Sequence, residues 1–143
     1  MNENKKHKFI TIGEIMLRLT PPDYEKIRVA TTFEARYGGS EANVAISLAN
    51  LGMDASFCTV VPDNSLGKSA VRMLRSNDVN CDAVIFSTPE ETPTHRLGTY
   101  YLETGYGIRS SKVVYDRKHS AFCEYDFKKT DFEKILDGYT WLH

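Results

Sequence analysis

A chain of 143 residues is long enough for one domain with a buried core. Its 18 basic and 19 acidic residues leave a formal net charge of −1, which argues against a nucleic-acid partner because no broad basic surface can form. Apolar residues at 41% and charged residues at 26% are globular usage, and no apolar run reaches membrane-spanning length, so no membrane partner is expected.

Met1 to His7 lacks the apolar core of a secretory signal, and a cytoplasmic site of action is expected. Lys5 to Lys8 reads as a frayed polar arm. Phe9 to Ile12 reads as a buried strand stopped by Gly13. That puts Glu14 at the strand's carboxyl end, where open α/β sheets hold ligands. Met16 to Thr20 reads as extended, Pro21-Pro22-Asp23 as a turn, and Ile27 to Phe33 as a weaker strand.

Gly38 and Gly39 then allow a tight turn or a close approach of the backbone to a ligand. Ser40 offers an N-cap oxygen and Glu41 a first-turn negative charge. Ala42, Ala45, Ala49 and Val44, Leu48, Leu51 recur at spacings of three and four, which predicts a helix from Ser40 to Leu51 with one face buried and Gly52 ending it. Asn43, in its first turn, carries both a donor and an acceptor for a polyol. The plain alternative is a loop that merely starts a core helix.

Ala55 to Val61 predicts a central strand and Pro62-Asp63-Asn64 a turn. Leu66 to Asn77 predicts an amphipathic helix with Leu66, Ala70, Met73 and Leu74 inward, and Ala83 to Phe86 the next strand. This alternation argues for a Rossmann-like parallel sheet with flanking helices, an α/β fold. Thr94 to Leu102 and Ser111 to Tyr115 bracket the loop Thr104-Gly105-Tyr106-Gly107, which predicts an antiparallel pair. Thr130-Asp131-Phe132-Glu133 has the form of a capping box, Gly138 closes that helix, and Trp141-Leu142 opens another strand.

Chemistry-bearing motifs are few. Gly67-Lys68-Ser69 resembles the tail of a phosphate-binding loop, but Pro62 stands where that loop needs its first glycine. Cys58, Cys81 and Cys123 form no paired motif, and the four histidines have no ligand spacing, so no metal site is expected. Tyr100, Tyr115 and Arg117 suit an acidic sugar. A guanidinium forks onto a carboxylate, and a tyrosine hydroxyl donates to a sugar or keto oxygen. The alternative is that Arg117 pairs with a nearby acid such as Asp116 or Glu124 while the tyrosines cover the sheet.

The Gly38-Gly39-x-x-x-Asn43 pattern, followed by Ala45 and Leu48-Ala49-x-Leu51-Gly52, resembles the N-terminal signature of the ribokinase-like (PfkB) carbohydrate kinases. With Ser40-Glu41-Ala42-Asn43 and the later Val113-Val114-Tyr115-Asp116-Arg117, the chain is most similar to the 2-keto-3-deoxygluconate kinase group, from about Phe9 onward. Asp116 departs from the aromatic residue some members carry there, which leaves the sugar-acid preference open.

The resemblance implies an incomplete ribokinase-like fold. Residues 1–143 would be the N-terminal part, with lid strands at approximately 16–33 and 94–115 and the nucleotide-binding part absent. Gly13, Glu14, Gly39, Ser40, Glu41, Asn43, Tyr100, Tyr115 and Arg117 would bind the sugar. It also implies ATP and Mg²⁺ in the full-length enzyme, at a site outside this chain, and a homo-oligomer formed through the lid strands. The family's Gly-Ala-Gly-Asp stretch, source of the catalytic base, does not occur here, so no catalytic residue and no turnover are expected of these residues alone. A kinase for another sugar, of fructose or ribose type, and a non-catalytic sugar-acid binding or oligomerisation module are the competing readings.

Overall fold

A computed structural model describes residues 7–143. Residues 5 and 6 of the expected polar arm lie outside the described residues, and Lys8 already belongs to the first strand. Two sheets organise the chain. In the body, β1 (Lys8–Ile12), β4 (Asp54–Pro62), β5 (Val84–Ser87) and β8 (Trp141–Leu142) form a parallel sheet in the order β5-β4-β1-β8. Beyond Asp54, β4 is buried along its length, the pattern of a central strand covered on both faces.

On one face lie α1 (Ser40–Asn50) and α2 (Ser65–Arg75). Their Ala42, Ala45, Ala70, Val71 and Leu74 share one core with Phe57 and Val61 of β4. On the other face Tyr139 donates its hydroxyl to Ser56 Oγ at 2.8 Å, in the segment that carries the short helices α3 (Ala121–Glu124) and α4 (Phe132–Leu136). The lid is a separate sheet of β3 (Glu34–Gly38), β2 (Met16–Thr20), β6 (Thr99–Glu103) and β7 (Lys112–Asp116), in that order. Two antiparallel pairs, β2–β3 and β6–β7, join along a parallel seam between β2 and β6. Register aligns Arg36, Arg18, Tyr100 and Tyr115 across it, and Ala35, Leu19, Tyr101 and Val114 in the next row. Side chains alternate along a strand, so these rows occupy opposite faces.

The departures from expectation have local causes. Ile27 to Phe33 is not a strand. Val29 and Ala30 N–H groups bond back to the Lys26 carbonyl, and Ile27 N–H goes to the Glu103 carboxylate at 3.0 Å, so the ladder is made by Glu34–Gly38 instead. Of Thr94 to Leu102, only the part from Thr99 onward is strand. Ser40 does not cap α1; Gly39 holds the cap position and Ser40 is the first helical residue. Leu51 is 73% exposed and Leu66 45% exposed, so neither joins the core; Gly67 and Val71 turn inward on α2 beside Ala70 and Leu74. Asp131, not Thr130, caps α4, its carboxylate accepting from Lys134 N–H.

Candidate functional site

The site lies where β1 ends and the lid begins. Gly13, Glu14, Ser40, Glu41 and Arg117 line one cleft of about 450 Å³, with Ile12, Met16, Phe122 and Cys123 completing its walls. This is the carboxyl end of a parallel strand, where successive elements diverge and leave a crevice. Two glycines are required by close approach. A Cβ on Gly39 would collide with the Glu14 carbonyl oxygen, and one on Gly98 with the Glu14 carboxylate, while Arg117 Cβ would stand only 3.2 Å away. Gly13 likewise makes room for the Glu41 carboxylate, and the Glu41 carbonyl accepts from Thr11 Oγ1 at 2.8 Å.

Glu14 is the buried charge of this cleft, 8% exposed. Burial pushes its carboxyl above the ordinary value of 4.5, against the Ser120 hydrogen bond and the positive charges of Arg117 and Arg96. Ser120 Oγ donates to Glu14 Oε1 at 2.6 Å, and Arg117 Nη1 stands 3.6 Å from Glu14 Oε2. Arg117 is paired with neither of the acids near it in sequence. Asp116 is held by Arg96 at 3.0 Å, and Glu124 accepts from the Thr94 amide and hydroxyl with His119 beside it. Those Thr94 bonds hold the Glu124 carboxyl below its ordinary value.

Tyr100, Tyr115, Gly39 and Asn43 do not line that cleft, but they adjoin it. The Tyr100 and Tyr115 rings lie 5.8 Å apart, and the Arg117 guanidinium sits 5.5 Å from the centre of the Tyr115 ring. Tyr100 Oη is 3.0 Å, and Asn43 Oδ1 3.9 Å, from where a Cβ on Gly38 would stand. Gly38 therefore brings the first turn of α1 and the lid face together. Asn43 is exposed at the helix surface. Sequence reasoning missed Ser120, Gly98, Phe122 and Cys123. Ser120 was legible only as a potential helix cap, for its hydroxyl also accepts from Cys123 N–H at 3.3 Å.

Gly67 answers to packing. A Cβ there would strike the Pro62 carbonyl, and the neighbouring Lys68 is exposed and paired with Asp63 at 2.8 Å. Neither is arranged to cradle a phosphate chain, and among the described residues no cluster of His, Cys, Asp or Glu is placed to hold a metal ion. Among the described residues, the Gly67-Lys68-Ser69 turn therefore does not fit a nucleotide phosphate, and no acidic cluster fits its Mg²⁺.

A parallel α/β body with a cleft at its strand ends, partnered by a small β lid, defines a ribokinase-like fold. The chain belongs to the pfkB family carbohydrate kinases, whose sequence profile matches residues 6–135. The chain superposes on the 2-dehydro-3-deoxygluconokinase of Thermotoga maritima with a TM-score of 0.88 and 47% identity, over 96% of this chain and 40% of that one. A PfkB family carbohydrate kinase from Listeria grayi matches with a TM-score of 0.85 and 38% identity, over 95% and 41%. The 2-dehydro-3-deoxygalactonokinase of Haloferax volcanii is 35% identical over 114 residues, 80% of this chain and 34% of its own length. The chain thus spans well under half the length of these relatives.

Proposed function

We propose that residues 1–143 supply the sugar-binding part and the lid of an ATP-dependent kinase for 2-keto-3-deoxygluconate. The observation that carries this reading is Arg117: its side chain is 53% exposed at the cleft while Glu14 and the Tyr115 ring hold it, so a guanidinium edge remains free for a ligand carboxylate. Gly39, Asn43, Tyr100 and Tyr115 would meet the hydroxyl and keto groups, with Gly13, Glu14, Ser40 and Glu41 forming the floor. The kinases for 2-dehydro-3-deoxy sugar acids among the relatives support the same substrate class.

ATP and Mg²⁺ would be held by the part of a longer protein that these residues do not include, so these residues alone would bind sugar without turning it over. The lid's second row, Ala35, Leu19, Tyr101 and Val114, would meet a second copy of the chain. Calorimetry of the chain with 2-keto-3-deoxygluconate and with a neutral sugar tests the assignment. Arg117→Ala should cost about 1.5–3 kcal/mol of binding to the acid, the range for hydrogen bonds to charged groups. Equal losses for both sugars would overturn it.

A further inference from the structure

We infer that Glu14 and Ser120 are a positioning pair for Arg117, setting the guanidinium that selects an acidic ligand; this rests on the sugar-acid reading above.

Three constraints meet on Arg117. Its Nη1 faces Glu14 Oε2 at 3.6 Å, its Cζ lies 5.5 Å from the Tyr115 ring centre, and its Cβ passes the bare backbone of Gly98. Glu14 belongs to the body, two residues beyond the end of β1, whereas Arg117 follows the last lid strand, so the pair spans body and lid. Ser120 is 1% exposed and uses both roles of its hydroxyl, accepting from Cys123 N–H and donating to Glu14 Oε1. The turn that carries Arg117 closes on the same residue, Ser120 N–H donating to the Arg117 carbonyl at 3.1 Å. Ser120 therefore fixes both the carboxylate and the backbone of the arginine that faces it.

An ion pair exposed on its arginine side adds little to stability. What the arrangement supplies is orientation. An arginine with four free torsions binds a carboxylate weakly unless something else removes that freedom first. Glu14 occupies one side of the guanidinium and leaves the exposed side for the ligand.

The test uses the 143-residue chain and two variants. Glu14→Gln keeps an acceptor for Ser120 and loses the charge; Ser120→Ala keeps the charge and loses the tether. The first readout needs no ligand: the Arg117 Nε–H resonance, assigned by its loss in Arg117→Lys, should report a restricted side chain in the wild type and a mobile one in both variants. The second is calorimetry, with affinity for 2-keto-3-deoxygluconate falling about tenfold in both variants, the cost of ordering one long side chain on binding, and affinity for a neutral sugar falling less. Unchanged Arg117 dynamics in both variants overturns the inference. A wild type that fails to bind the sugar acid overturns the substrate reading instead, and the resonance still decides the positioning role.

Discussion

Glu14 carries a pH signature that follows from its burial. Its carboxyl is held above the ordinary 4.5, so the folded chain binds that proton more tightly than the unfolded chain does. The stability it confers is full below the unfolded value and is lost as pH rises through the folded one. Glutamine does not titrate. The melting temperature of Glu14→Gln minus that of the wild type should therefore increase between about pH 4 and about pH 7. A flat difference across that window would mean that Glu14 titrates as it does in the unfolded chain, and a falling one that Ser120 and the arginines outweigh its burial. The sequence placed Glu14 correctly at a strand end because a strand stopped by Gly13 leaves its next residue there. It could not supply Ser120, whose bond to Glu14 joins positions far apart in the chain and depends on how the lid returns. It could not choose an acid for Arg117 either: the neighbours Asp116 and Glu124 were the natural candidates, and folding hands both to other partners.

Elements with strong periodicity or clear turn signals were legible, the paired strands β6, β7 and β8 among them, whereas β3 was not. β1, β2, β4, β5, α1 and α2 follow from apolar runs and helical spacing, with burial departing from the pattern only near helix ends, at Leu51 and Leu66. β3 escaped because Ile27 to Phe33 is the more apolar stretch, whereas Glu34–Gly38 earns its strand only from pairing with β2. The end of β3 is also where an element can be broken by one methyl group. Gly39 has φ 175°, extended backbone open to any residue, so its constraint is space alone. Since the obstacle is the Glu14 carbonyl and not a yielding side chain, Gly39→Ala should destabilise the chain by about 1–3 kcal/mol and lower its melting temperature. A melting temperature equal to the wild type's would show that the β3–α1 junction is looser than its geometry.

Among the described residues, two exposed apolar patches are placed to meet another molecule. One is the lid row that ends at Val114, 42% exposed, where Leu19 and Tyr101 are half-buried and Phe33, 37% exposed, stands edge-on to Tyr101 at 5.9 Å. The other is the groove of Phe9, Val44, Leu48, Trp141 and Leu142, in which Trp141 is 59% exposed. Such surface promotes association, so sedimentation on the order of tens of micromolar should show the chain self-associating, and a Val114→Lys variant should weaken it. A clean wild-type monomer would remove the lid as a contact between copies. No helix among the described residues is long and apolar enough to cross a membrane. The same two sheets also set a timetable. β2–β3 and β6–β7 are hairpins that close over short stretches of chain, but the seam Leu17↔Thr99 and the pairing Phe9↔Trp141 close loops spanning most of it. Loop-closure entropy must be met before either contact rewards it, so the hairpins are free to form early while the seam and β8 wait. Refolding on the slow side, roughly milliseconds to seconds, is what that wiring dictates. Until the seam closes, Arg117 and Glu14 have no reason to meet: the cleft they line is among the last things this chain assembles.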